Sequence, residues 1–541
     1  MAFITSRFTR PACAAQKRRN GAGGTARTAR SALARSGPLA VAVSGLLAAC
    51  GGGDSPSPPP PLSAEAACTA LLNQTFEEAR ITAATLVPAG GSAPETCVVR
   101  GEMPKELAFE VRMPTTWNNR VLFMGGGGFD GEITEAAYSP GVAANGYATI
   151  ATNHGHDAAR HPQGSFALDA QMLEDYAYAA VPKVFAAAKA ILRKRYGEAI
   201  DRSRFVYEGC SGGGRQALIQ AQRHPDLFDG IIVRAPANAY TGQFLWYQKI
   251  LRQFAKPGAG LSAGKVQTIA GFMQSQCDAL DGLKDNIIGR PDACKVDLAA
   301  LRCNGAESDA CLTDAQLESA RTLYEPTNVA GGRYTWPAFP HVGGETADDA
   351  SWQALGGSTF RTLGGDYMRY FVAQDPSADP LAVDPQAYTG RLDYLAKLID
   401  AVDPDLGRFR ARNGKVILFH GTTDWLITLN NTTDYYNKVV AAAGGQTAAD
   451  QFVEYFVLPG HDHCAATPQG GRGPDTVDLV TPMFEWIENG AKPSSRRIIA
   501  TRSVDPGKGM QRPLCRYPQY PAYAGSGDPN AESSFTCVSP Q

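Results

Sequence analysis

The sequence lacks an excess of either charge: 51 Lys and Arg stand against 53 Asp and Glu, a formal net charge of −2. That balance removes the electrostatic reason to expect nucleic acid or an anionic membrane surface as partner. The 12 cysteines include no CxxC pair, so nothing argues for a thiolate zinc site. No internal repeat is evident, and the apolar run Pro38–Ala49 is too short to span a bilayer as a stable helix. What remains is a globular chain of 541 residues, 44% hydrophobic, long enough to bury a large core and to hold two or more domains.

The first 35 residues contain no acidic side chain and are rich in arginine. Followed by the short apolar run, they predict an export signal over residues 1–49. The signal ends in Leu47-Ala48-Ala49-Cys50, which resembles the bacterial lipoprotein pattern with Cys50 as the lipidated first residue. An ordinary soluble signal with Cys50 incidental is the alternative. The basic region is long, which leaves open a start codon downstream of Met1. Residues 50–66, Gly- then Pro-rich, read as a flexible tether. The expected location is the bacterial periplasm or outer membrane, or the medium if the protein is secreted. Setting aside Cys13 and Cys50 leaves ten cysteines; an even number in an exported chain points to disulfides, whose pairing sequence alone does not fix.

Six short apolar runs bounded by glycine or polar residues, Val121–Met124, Tyr147–Ala151, Phe205–Tyr207, Ile231–Val233, Val416–Phe419 and Tyr455–Leu458, read as buried strands. Between two of them Val181, Val184, Phe185, Ala188, Ile191 and Leu192 recur at helical spacing. Alternating strand and helix predict an α/β fold with a mainly parallel sheet. Residues 239–406 lose that pattern and read as an inserted lid domain between two core segments, 67–238 and 407–541.

Gly209-Cys210-Ser211-Gly212-Gly213 lies between a predicted strand and a predicted helix. That is the context of a nucleophile elbow, in which a sharp turn exposes the serine oxygen and the helix N-terminus faces the attacked carbonyl. A serine hydroxyl needs a base, and the base a carboxylate, in the order Ser, acid, His for this fold. Asp424 follows one predicted strand and His463 another. His461 is the rival base and Asp434 the rival acid. Gly212 offers one backbone donor to an oxyanion; the second is expected from Gly125–Gly128, unless that run is only a flexible turn. The glycine run has no following Lys-Ser/Thr, which argues against a phosphate loop.

The strings GCSxGG, HGxxD and GxxHC, with cysteines beside both Ser211 and His463, resemble the tannase and feruloyl esterase family, which includes hydrolases of mono(2-hydroxyethyl) terephthalate. The likeness runs from about Cys68 to Cys537. It implies an α/β-hydrolase core with an inserted lid, a serine esterase acting on esters of aromatic acids, and Gly128 as the second oxyanion donor. It also implies the disulfides Cys68–Cys97, Cys210–Cys464, Cys277–Cys294, Cys303–Cys311 and Cys515–Cys537. Asp278, Asp281 and Asp285 crowd one short loop; by composition this is a calcium loop or a solvated acidic turn. The resemblance implies structural calcium, held by those carboxylates and the carbonyls of Leu283 and Ile287.

For the substrate pocket the resemblance suggests Arg361, Trp352, His420 and Ile427. Arg361 looks like the arginine that grips the free carboxylate in terephthalate monoester hydrolases, with a surface ion pair as the alternative. Trp336, Trp352, Tyr367 and Phe371 line either that pocket or the lid core. The aromatic clamps expected near Gly365 and at Ile427 are missing, which favours a ferulate, gallate or other hydroxybenzoate ester. A peptidase or broad lipase on the same triad, and a catalytically dead lipoprotein that binds aromatics or polysaccharide, are the other readings.

Overall fold

The computed structural model describes residues 62–134, 137–342, 360–464, 471–505 and 507–540. The signal, nearly all of the tether, Cys50 and Trp352 lie outside them. Four strands open the fold: β1 (Thr75–Phe76), β2 (Ala79–Val87), β3 (Thr96–Met103) and β4 (Leu107–Pro114). Then come β5 (Arg120–Met124), β6 (Ala148–Thr152), β7 (Arg204–Cys210) and β8 (Gly230–Arg234). A small hairpin, β9 (Thr327–Val329) and β10 (Tyr334–Trp336), precedes β11 (Lys415–Gly421) and β12 (Val453–Leu458). After β13 (Ile499–Thr501) and β14 (Gln511–Pro513), β15 (Cys515–Arg516) returns to the sheet edge.

Eleven of these strands form one sheet in the order β1-β2-β3-β4-β6-β5-β7-β8-β11-β12-β15. Its centre, from β6 to β12, is parallel throughout, and both flanks are antiparallel. The six central strands coincide with the six apolar runs of the sequence. They are covered on both faces. Val121, Phe123, Ile231, Val233, Val416 and Leu418 pack with Val184, Ile191 and Leu218 on one side. Leu122, Met124, Ile232, Ile417 and Phe456 pack with Met483, Phe484 and Trp486 of the helix Val480–Asn489 on the other. Two buried faces require continuous apolar character, which is why these strands stand out in the sequence. The helix Ala180–Tyr196 buries Val181, Val184, Phe185, Ala188, Ile191 and Leu192, the predicted stripe.

None of the described residues between Ala239 and Leu406 joins the large sheet. They form helices Tyr240–Phe254, Ala263–Cys277, Asp314–Tyr324 and Thr389–Ile399, the β9–β10 hairpin and the helical turns Arg361–Gly365 and Tyr367–Ala373. These share a second apolar cluster rich in aromatic rings, where Trp336, Tyr367 and Phe371 are buried. Those three side chains are therefore core. The segment is bound to the rest of the fold through the Tyr247 hydroxyl, which donates to the Leu426 carbonyl at 2.8 Å, and through Arg215, which donates to the Ile399 carbonyl at 3.2 Å.

Candidate active site

Ser211 ends β7 and begins the helix Gly212–Arg223 with φ 60° and ψ −120°. A non-glycine residue with such a backbone is strained, and the strain is held by its surroundings. The Ser211 N–H donates to the Arg234 carbonyl, and its own carbonyl accepts from Arg215 and Ala237. Space, not only conformation, requires the flanking glycines. A Cβ on Gly209 would lie 2.5 Å from the Gly213 carbonyl, and one on Gly213 would lie 2.5 Å from the Gly126 oxygen. The elbow is thus pressed against the loop Gly125–Gly128.

That loop follows β5 and closes a tight turn, with the Asp130 N–H donating to the Gly127 carbonyl at 2.8 Å. Gly128 sits inside the turn at φ +57°, where a side chain would be strained. A Cβ on Gly212 would be 3.5 Å from the Gly128 nitrogen and 3.2 Å from its oxygen. The two glycines expected to donate to an oxyanion therefore lie side by side beside Ser211.

The third component comes from the ends of β11 and β12. The Nδ1 of His463 lies 2.7 Å from Asp424 Oδ2. Asp424 is fixed from behind: its Oδ1 accepts from the N–H groups of Leu426 and Ile427, and His420 Nε2 lies 3.1 Å from Oδ2. Burial alone would raise the Asp424 carboxyl. The charge of His463 and hydrogen bonds from His420 and His463 outweigh it and hold the group well below the usual carboxylate range. For His463 burial acts downward, but the charge and hydrogen bond of Asp424 prevail and its pKa is raised. The Cys210–Cys464 disulfide, with Cα atoms 5.8 Å apart, joins the residue before Ser211 to the residue after His463. It holds nucleophile loop and histidine loop together.

The rivals are placed elsewhere. His461 is buried edge-on to Phe419, its Nδ1 lies 3.1 Å from the Pro474 carbonyl, and burial pushes it down to about 4. Asp434 lies on the helix Leu429–Ala442, and burial raises its carboxyl. His420, expected at the substrate pocket, is fully buried beneath Asp424; its Nδ1 meets Thr432 Oγ1 at 2.8 Å and its Nε2 is also 3.0 Å from the Ile427 carbonyl. Ile427 is buried and contributes its peptide to Asp424 and His420. Arg361 is exposed and lines a cavity of about 410 Å³ with Thr362, Asp366 and Arg369. The reading of the sequence missed Tyr176, whose hydroxyl donates to the Gly128 carbonyl at 3.0 Å. No local motif marks it.

In the acidic loop, Asp281 Oδ1 accepts from the Leu283 N–H, Asp285 Oδ1 accepts from the Ile287 N–H, and Asp285 Oδ2 pairs with Arg512 at 2.7 Å. Asp278 Oδ1 is buried without a hydrogen-bond partner among the described residues. Burial, reinforced by the neighbouring Asp285 and Asp278, pushes the Asp281 carboxyl up to about 7. Among the described residues, no three acidic, histidine or cysteine side chains close to the spacing of a coordination shell. The carboxylates are hard oxygen donors of the kind a calcium ion takes, but here they are not gathered around one point, and Asp285 is turned toward Arg512.

Comparison with known proteins identifies the family and the fold. The family model described as tannase and feruloyl esterase matches residues 94–538. The chain is 32% identical to a mono(2-hydroxyethyl) terephthalate hydrolase from Piscinibacter sakaiensis, over 89% of this chain and 93% of that one. It superposes on the crystal structure of feruloyl esterase B from Aspergillus oryzae with a TM-score of 0.77 at 26% identity, covering 88% of this chain and all of the other. A tannin acyl hydrolase from Aspergillus niger shares the fold, with a TM-score of 0.68 at 23% identity over 88% and 94% of the two chains. The strained serine, the acid–histidine pair and these matches together place the chain in the tannase and feruloyl esterase family of α/β-hydrolases.

Proposed function

We propose that the protein hydrolyses esters of aromatic acids through an acyl-enzyme on Ser211, with His463 as general base and Asp424 as the group that orients it. Carboxylic ester hydrolysis is the chemistry of its family. The 2.7 Å contact between His463 Nδ1 and Asp424 Oδ2, bridged by Cys210–Cys464 to the strained Ser211, carries the assignment of roles. Ser211 Oγ attacks the ester carbonyl as His463 Nε2 takes its proton; the carbonyl oxygen becomes an oxyanion facing the N–H groups of Gly212 and Gly128. The C–O bond then breaks, and His463 returns the proton to the leaving alcohol. Water, deprotonated by the same imidazole, releases the acid. One oxyanion donor contributes roughly 3 kcal/mol to such a transition state.

The acyl group is a hydroxycinnamate or hydroxybenzoate. The inserted segment acts as the lid over the site, and its aromatic cluster supports the walls of the acyl pocket. A terephthalate monoester is the second reading, favoured by the exposed guanidinium of Arg361 beside a cavity and by the Piscinibacter relative. Calcium belongs to the acidic loop, held by Asp278, Asp281 and Asp285 with the Leu283 and Ile287 carbonyls; it would neutralise crowded carboxylates and brace the segment. Five disulfides fit an oxidising, exported setting, and among the described residues no helix is long and apolar enough to cross a membrane. Residues 1–49 act as the signal and Cys50 carries the lipid anchor.

The test is turnover of methyl ferulate, methyl gallate and mono(2-hydroxyethyl) terephthalate by the purified mature protein beside Ser211→Ala. Serine-dependent cleavage of the first two above the third supports the phenolic reading. The reverse order supports the monoester. Absence of turnover on these and on nitrophenyl esters would leave a protein that binds aromatics without transforming them.

A further inference from the structure

Beneath the glycine loop lies a buried polar chain that the reaction as written does not use. The Tyr207 hydroxyl, on the strand that carries Ser211, donates to Gln216 Oε1 at 3.0 Å. Gln216, on the helix that begins with Gly212, donates from Nε2 to Asp130 Oδ2. Asp130 belongs to the oxyanion loop itself, and its side chain has no exposure. His154 Nε2 stands 3.5 Å behind the same oxygen, and Asp130 Oδ1 has no hydrogen-bond partner among the described residues. The loop is wrapped on this chain. A Cβ on Gly125 would lie 2.7 Å from the Tyr207 hydroxyl, and one on Gly126 would lie 3.1 Å from the Asp130 carboxyl.

Resting on the function proposed above, we infer that Asp130 and Gln216 are positioning residues that set the Gly128 N–H at the distance an oxyanion needs. Tyr176 adds a further restraint, holding the Gly128 carbonyl while its own oxygen lies 2.8 Å from that of Tyr240. The turn is then held at the Gly127 carbonyl by the Asp130 N–H, at 2.8 Å, and at the Gly128 carbonyl by Tyr176. Its three anchors also join strand, helix and loop, the elements bearing Ser211, Gly212 and Gly128. Oxyanion stabilisation depends on donors that are already in place when charge develops, so a loosened peptide loses transition-state binding with little effect on substrate binding.

What Asp130 supplies to Gln216 is a hydrogen-bond acceptor. Burial pushes its carboxyl up to about 7, against the hydrogen bond of Gln216 and the charge of Arg215, and His154 behind it is pushed down to about 3 by burial, with Arg215 and His156 acting the same way. An amide in its place keeps the acceptor for Gln216. An alanine does not.

The experiment compares Asp130→Ala, Gln216→Met, the double variant and Asp130→Asn with the parent protein, on methyl ferulate and with phenylboronic acid, whose serine adduct places an oxygen in the oxyanion position. The expected result is a fall in kcat of about 10- to 100-fold for Asp130→Ala and Gln216→Met, less than loss of a whole donor, with KM changed by less than about threefold. The inhibition constant of phenylboronic acid should rise by a similar factor, the double variant should be no worse than the poorer single, and Asp130→Asn should stay within about threefold of the parent. Activity near the parent level in Asp130→Ala or Gln216→Met, or reduced activity with an unchanged boronate constant, overturns the inference. If Asp130→Ala does not fold, Gln216→Met decides alone. Turnover surviving in Ser211→Ala sinks the underlying reading and this one with it, whereas serine-dependent turnover with indifferent variants sinks only this one.

Discussion

Asp424 makes contacts with two histidines, and their positions divide the work between them. His420 and the two peptide N–H groups secure the carboxylate, which leaves His463 as the partner proposed to gain and lose a proton during turnover. A base must be unprotonated to act, and the raised pKa of His463 means that kcat/KM falls as pH drops through a value above the ordinary 6.5. Asp424→Asn removes the charge responsible. The plateau of kcat should fall by about 10⁴-fold, as when the orienting acid of such a triad is neutralised, and the acid limb of the residual activity should move to lower pH. A pH–rate profile of the two proteins checks both; a limb that stays in place would assign the titration to another group. His461, two residues away, was the rival candidate; it is turned from Asp424, buried against Phe419 with its Nδ1 on the Pro474 carbonyl, whereas His463 meets Asp424.

At the scale of elements, the site is an agreement between the β7 elbow and the loop after β5. Gly213→Ala tests it: the added carbon would lie 2.5 Å from the Gly126 carbonyl and 3.1 Å from the Gly125 carbonyl carbon, both backbone atoms. Overpacking of this kind costs about 1–3 kcal/mol. Thermal unfolding should show that loss, and turnover should fall by more than the stability change explains, since the displaced backbone carries Gly128. Unchanged turnover would separate the loop from catalysis. The same scale explains which strands were legible. β5, β6, β7, β8, β11 and β12 are buried on both faces and read as apolar runs, whereas β3 alternates buried with exposed or half-buried residues, β2 buries only Ala79 and Ile81, and the two carry Arg80, Arg100 and Glu102. An amphipathic flank lacks the run that marked the centre, so the antiparallel half of the sheet was not anticipated.

Over the whole molecule, five disulfides and the inserted segment tie distant parts of the chain together. Cys210–Cys464 closes a separation of 254 residues, which the chain-entropy model values at about 5 kcal/mol. Cys210→Ser with Cys464→Ser should lower Tm and, because the bridge joins the serine loop to the histidine loop, lower kcat well below the melting transition. A double variant that melts earlier but keeps its kcat would make the bridge purely structural. Chelation tests the calcium proposed for the acidic loop: if the loop holds it, a chelator should lower Tm while leaving kcat at low temperature within about twofold, because such a metal would brace a segment away from the reacting atoms. No shift in Tm with added calcium or chelator would mean that the loop is neutralised by Arg512 alone.

The sequence by itself determined the chemistry that is local: a serine between glycines at a strand-to-helix turn, the six doubly buried strands, and the candidates Asp424 and His463 at the ends of two of them. Those features depend on spacing and apolar periodicity within a few residues, which a chain displays before it folds. Tertiary structure alone decided what depends on distance across the fold. It set Asp424 against His463 and placed Asp434 and His461 elsewhere, buried His420 under the acid, made Trp336, Tyr367 and Phe371 core, turned Asp285 to Arg512, and brought Tyr176 and Gln216 to the glycine loop. Burial and hydrogen-bond partnership arise from segments tens to hundreds of residues apart, and no short stretch of chain encodes who its neighbours will be.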